Sequence, residues 1–191
     1  SKTPEFLIFM ATHLLLVLGA SGVGKSALVH RFYADEFVED RMIDQDVTVR
    51  REVKLDDDIC IAEILDMHCT GEFTAMRDLN MKGCQGVILA YSITSRKSFD
   101  DLPNEWEQIL RVQDVSSFPV VIVGCKADLE QQRQVDFQEA QEMATLLGGM
   151  AMETSAKENW KIRDSIATLV KLVAQQKKAP TTSKAKKCII S

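Results

Sequence analysis

Gly19-Ala20-Ser21-Gly22-Val23-Gly24-Lys25-Ser26 fits the phosphate-binding pattern G-x-x-x-x-G-K-[ST], and its setting fits as well as its spelling. The apolar run Leu14-Leu15-Leu16-Val17-Leu18 precedes it, and a helix-like stretch, Ala27 to Tyr33, follows. A strand that delivers a glycine-rich loop lets backbone N–H groups curl around a phosphate. The helix that follows points its positive end at the same anion. Lys25 is expected to reach the outer phosphates and the Ser26 hydroxyl to bind Mg²⁺. The chain is thus expected to bind a nucleoside phosphate.

Working outward, apolar runs and helical patterns alternate. Strands are expected at 13–18, 47–55, 59–65, 87–93, 120–123 and 151–153, and amphipathic helices at 25–33, 73–81, 98–112, 137–147 and 161–175. In the last helix, Ile162, Ile166, Leu169, Val170 and Val173 recur at helical spacing and are read as core. Only the strands at 47–55 and 59–65 lack a helix between them; the turn Asp56-Asp57-Asp58 joins them as a hairpin. The pattern predicts a three-layer α/β fold, a mostly parallel six-stranded sheet with one antiparallel edge strand and helices on both faces. Ligands on such sheets bind beyond the carboxyl ends of the strands.

At 191 residues the chain fits one domain with a substantial core, here residues 10–176. Residues 1–9 are set aside as a cloning-derived leader, because Glu5-Phe6 is what a common cloning site encodes and Met10 reads as the natural first residue; a native leader is the alternative. Residues 177–191 read as a flexible tail carrying Lys177, Lys178, Lys184, Lys186 and Lys187 and no acid. Removing those five charges from the net −5 leaves −10 on the rest of the chain. An acidic body argues against nucleic-acid binding, and a basic tail argues for contact with an anionic surface. Cys60, Cys69, Cys84, Cys125 and Cys188 form no C-x-x-C pair or metal-ligand spacing and read as reduced cytosolic thiols. No apolar run approaches a membrane span, and Phe6 to Met10 is too short for a secretory signal.

A phosphate loop alone suits kinases, ATPases and GTPases. Three further segments sit at strand ends: Ile64-Leu65-Asp66, Gly124-Cys125-Lys126-Ala127-Asp128, and Thr154-Ser155-Ala156-Lys157. Asp66 is placed to hold Mg²⁺ through water. With Phe73-Thr74-Ala75-Met76-Arg77-Asp78-Leu79, Tyr91-Ser92-Ile93-Thr94 and Gln108-Ile109-Leu110-Arg111-Val112, the chain resembles a Ras-family small GTPase, with greatest similarity to Rap proteins, from about Met10 to Gln176. The resemblance implies that Lys126 packs along a guanine base and that Asp128 accepts from its N1 and exocyclic amine. Adenine lacks both donors, so an acid there selects guanine. It further implies that Ala156 offers its N–H to the guanine carbonyl, with Ser155 and Lys157 supporting the loop and Phe37 meeting the base edge-on. Ser21, Gly22, Val23, Gly24, Lys25, Ser26, Ala27 and Leu129 complete the implied GTP/GDP contacts. A small-molecule kinase would leave Asp128, Ser155-Ala156-Lys157 and Cys188 unexplained.

The departures from the family cluster on one task. An ungapped alignment from Lys25 puts Asp44 where the family has a Mg²⁺-binding Thr that senses the γ-phosphate. An added carboxylate at ~4 Å from phosphate charge, with an effective dielectric near ~20, repels by several kcal/mol. Diphosphate is therefore expected to bind better than triphosphate. Asp66-Met67-His68-Cys69 puts Cys where D-x-x-G has Gly, at a cost of about 1–3 kcal/mol if the backbone must be forced. Thr70 stands where most relatives have a water-orienting Gln; Rap proteins share the Thr, which implies slow intrinsic hydrolysis and a helper protein. Ser21 adds a side chain where an arginine finger would enter. Cys125 replaces the usual Asn, which should weaken nucleotide retention without changing specificity. Gln45-Asp46-Val47-Thr48 has lost the acidic effector signature.

Cys188-Ile189-Ile190-Ser191 is a C-a-a-X box, whose terminal Ser favours farnesyl. One lipid anchors weakly, so Lys184, Lys186 and Lys187 would supply the second signal, about 1 kcal/mol each near anionic lipid. The expectation is a monomer at the cytoplasmic face of a membrane, the plasma membrane, that hydrolyses GTP slowly through Lys25, Mg²⁺ and Thr70. It would meet an exchange factor, a GTPase-activating protein and an effector. The alternative is a binding module with little hydrolysis or switching.

Overall fold

The computed structural model describes residues 10–38, 47–55, 58–67 and 74–178. Expectations that fall on residues 1–9, on Asp44, Gln45, Asp46, His68, Cys69, Thr70 and Phe73, and on Cys188 with its neighbouring lysines lie outside the described residues.

The chain runs β1 (Thr12–Leu18), α1 (Lys25–Ala34), β2 (Val47–Lys54), β3 (Ile59–Asp66), α2 (Thr74–Gly83), β4 (Gly86–Ser92), α3 (Arg96–Asp100), α4 (Leu102–Gln113), β5 (Val120–Cys125), α5 (Phe137–Leu147), β6 (Met150–Glu153) and α6 (Ile162–Lys178). The sheet has six strands in the order β2-β3-β1-β4-β5-β6. All neighbours pair in parallel except β2 with β3. The expected fold class therefore holds, with β2 as the antiparallel edge. The Leu55 N–H bonds the Asp58 carbonyl at 2.8 Å and closes that hairpin.

Period-two alternation divides the core into two layers. Leu15 and Val17 of β1, Ile88 and Ala90 of β4, and Val121 and Val123 of β5 pack with α1 and with the α6 stripe Ile162, Ile166, Leu169, Val170 and Val173. Leu16, Leu18, Val87, Leu89, Val120 and Ile122 face the other way, onto Met81, Phe99, Trp106, Ile109, Ala140 and Ala144. Strands β4 and β5 are buried along their whole length, which is why they read as continuous apolar runs.

The helix expected over 98–112 is two helices. Pro103 has no N–H to give the Phe99 carbonyl, so α3 closes at Asp100 and α4 begins with the proline in its first turn. A short 3-10 segment, Ala127–Gln132, also follows β5, where no element is expected from the sequence.

Candidate functional site

The site assembles where the parallel strands end. Strand β1 finishes at buried Leu18, and Gly19 turns the chain at φ +140°. A Cβ on Gly19 would lie 2.0 Å from the Ala90 carbonyl oxygen, so only glycine fits against β4 there. Gly24 caps α1 at φ +118° with no side-chain hydrogen bond to the helix end. The orphan N–H groups of the first turn are therefore not taken by a capping side chain and face the loop.

Lys25 is 6% exposed, and its ammonium donates to the carbonyls of Gly19 and Ala20, each at 2.9 Å. These bonds draw the loop around the one cation best placed to meet phosphate oxygens. Ser26 follows it on α1, half-buried; Ser21 and Gly22 stand exposed on the loop, while Val23 is buried beneath it. The Val17↔Asp66 register places Asp66, 1% exposed at the end of β3, beside the strand that feeds the loop.

A hydroxyl and a carboxylate are the hard oxygen donors Mg²⁺ accepts, and it usually takes one or two of them alongside phosphates and water. Among the described residues no group of three or more His, Cys, Asp or Glu is disposed to hold a metal by itself. Ser26 and Asp66 fit the partial set that a phosphate-bound Mg²⁺ needs.

The base side is built from the ends of β5 and β6. Lys126 adopts φ +64°, an uncommon conformation for a residue with a side chain, and its Nζ donates to the Gly22 carbonyl at 2.7 Å. One lysine thus joins this segment to the phosphate loop. The Ser155 hydroxyl donates to Asp128 Oδ1 at 2.6 Å and accepts from the Glu158 N–H at 3.0 Å. A carboxylate has about four lone-pair sites. One bond fixes its orientation and leaves acceptors for a ligand. Leu129 N–H bonds the Lys126 carbonyl at 2.9 Å, and Ala127 N–H bonds that of Thr154 at 3.1 Å, so the two base-side loops are laced together. Phe37 lies half-buried beyond the end of α1.

Cys125 is buried on the α1/α6 side, and a Cβ on Gly24 would meet its Cβ at 3.1 Å. Burial pushes its thiol up to about 11, so it is an inert packing group beneath the loop.

The structure brings Ser21 to Ala27, Asp66, Lys126, Asp128, Leu129 and Ser155 to Lys157 to the carboxyl ends of neighbouring strands; Thr70 and Cys188 lie outside the described residues. It also adds residues that sequence reasoning missed. Arg31 donates from Nε to the Ala156 carbonyl at 2.6 Å and from Nη2 to that of Lys157 at 3.1 Å. Trp160 pairs with Ser155 in both directions, N–H to carbonyl, at 2.9 and 3.2 Å. The one sequence signal for Arg31 was a basic residue in the last turn of α1, where the helix dipole favours it.

A model of the Ras family matches residues 14–175, which spans both the phosphate loop and the base-side loops. The chain belongs to the Ras family of GTP-binding small GTPases.

Proposed function

We propose that this chain is a Rap-like, Mg²⁺-dependent guanine-nucleotide switch with slow intrinsic GTP hydrolysis, anchored to the cytoplasmic face of the plasma membrane through prenylated Cys188. The observation that carries the nucleotide half is the Lys126–Gly22 bond at 2.7 Å together with the Ser155–Asp128 bond at 2.6 Å. The first ties the base segment to the phosphate loop. The second aims a carboxylate at the donors that distinguish guanine from adenine.

In this reading the N-terminus of α1 and Lys25 neutralise phosphate charge. Ser26 and Asp66 hold Mg²⁺, which when bound supplies further charge neutralisation at the phosphates. Ala156 gives its N–H to the guanine carbonyl, and Phe37 covers the base edge. Thr70 occupies the sequence position where the resemblance implies a water-orienting Gln, which supports a slow rate and reliance on a GTPase-activating protein. The protein works as a monomer, with an exchange factor and an effector as its other partners. The tail lysines support membrane contact, because a single lipid needs a second signal.

Asp44 and Cys69 favour a second reading, a module that keeps nucleotide but neither hydrolyses nor switches. Both readings share a consequence of Asp44: GDP binds more tightly than GTP in the presence of Mg²⁺. Titration calorimetry on nucleotide-free protein should give at least about tenfold tighter binding of GDP, given a repulsion of ~1.4 kcal/mol or more. Equal affinities would remove the account of the first switch.

A further inference from the structure

We infer that Arg31 is a positioning residue for base selection, acting on Asp128 through one peptide unit and one hydroxyl. The inference rests on Asp128 reading the guanine edge. In a planar trans peptide the C=O and the following N–H point opposite ways. Arg31 Nη2 holds the Lys157 carbonyl at 3.1 Å. The same peptide unit therefore directs the Glu158 N–H away from Arg31, and that N–H donates to Ser155 Oγ at 3.0 Å. With one acceptor site so occupied, the Ser155 hydroxyl turns its proton to Asp128 Oδ1 at 2.6 Å. A continuous run leads from Arg31 through the 157–158 peptide and Ser155 to the carboxylate.

Neighbouring bonds stiffen this run at its Arg31 end. Arg31 Nε takes the Ala156 carbonyl at 2.6 Å, so two successive peptide planes of the loop are gripped by one rigid guanidinium fork. Its Nη1 donates to the Asp35 carbonyl at 2.6 Å, and the Asp35 carboxylate is held by Arg51 of β2 at 2.7 Å and Arg163 of α6 at 2.9 Å. The fork is thus carried by α1 and seated, through Asp35, against β2 and α6. Lysine cannot replace it, because one ammonium lacks the planar spread to serve three carbonyls.

The test compares GDP with IDP, which lacks the exocyclic amine and so removes one of the two donors facing Asp128. Affinities of both are measured for the wild type, Arg31→Met, Ser155→Ala and the double variant. The GDP-over-IDP ratio should fall about three- to tenfold in each single variant, the worth of one well-aligned hydrogen bond. In the double variant it should fall no further, because both changes cut the same run. If Arg31→Met weakens both nucleotides equally and leaves the ratio unchanged, Arg31 is only a brace for the fold and the inference is overturned while the site stands. A wild type that does not prefer GDP over IDP overturns the reading of Asp128 and the inference with it. Should Arg31→Met fail to fold, Arg31→Lys is measured in the same way. A reduced ratio supports the inference, and an unchanged one overturns it.

Discussion

In the proposed reading, the loops that hold a nucleotide and the loops that sense its γ-phosphate stand in contrast: the first match the family resemblance closely and the second depart from it. On the holding side, where the proposed reading puts Lys25, Lys126, Asp128 and Ser155, side chains tie the segments together: Lys126 to Gly22, Ser155 to Asp128, and Arg31 of α1 to Ala156 and Lys157. On the sensing side, the proposed reading puts Asp44, Cys69 and Val47 at positions where the resemblance implies other residues. Grip and response are separable in this fold because they draw on different segments. Asp66, at the end of β3, is asked to serve both.

The largest effect should come from breaking the grip. Lys25→Met removes the buried ammonium that bonds Gly19 and Ala20, and nucleotide affinity should fall about a hundredfold or more by calorimetry, as two charge-assisted bonds are lost. Retained affinity would mean that the loop backbone alone holds the phosphates.

Repairing the response comes next. Asp44→Thr combined with Cys69→Gly should raise the single-turnover rate of GTP hydrolysis about tenfold or more, a barrier change of ~1.4 kcal/mol. If the rate stays put, these two residues do not limit hydrolysis, and the contrast between the two regions loses its mechanism.

A smaller change should sharpen the grip. Cys125 lies buried against Gly24, at the position where the resemblance implies an amide. Cys125→Asn should slow nucleotide release about three- to tenfold in a displacement assay, the scale of one added hydrogen bond, without altering guanine preference. Faster release would show that the packing under Gly24 has no room for the amide.

The smallest effect concerns the seat of Arg31. Hydrogen bonds from Arg51 and Arg163 hold the Asp35 carboxyl down at about 2, against an ordinary 3.8. A carboxylate whose folded value is depressed stabilises the fold above its unfolded value and loses that contribution as pH falls through the folded one. The melting-temperature gap between wild type and Asp35→Asn should therefore be full above about pH 4 and close towards pH 2. A gap independent of pH would mean that these surface pairs carry no net weight.

Most of the architecture was legible because periodicity reports burial. The alternation in β1 and the stripe from Ile162 to Val173 mark core faces directly, and the uninterrupted runs of β4 and β5 mark strands covered on both sides. Pro103 encodes the split between α3 and α4, but the apolar spacing continues across the break and hides it. In the site, motif residues were legible because their chemistry is local: glycines that must adopt positive φ, a lysine and a hydroxyl side by side. Arg31 was not. Its partners in the base loop lie more than a hundred residues along the chain and are backbone carbonyls, which leave no mark on residue identity. The Ser155–Trp160 pairing is invisible for the same reason.

Loading the purified protein with GTP labelled in its guanosine part and Mg²⁺, removing the excess and identifying the protein-bound nucleotide over hours tests the separation of grip and response most directly. The account predicts that nucleotide stays bound while GTP converts to GDP slowly. Rapid conversion, or loss of GTP to solvent before any conversion, would contradict it.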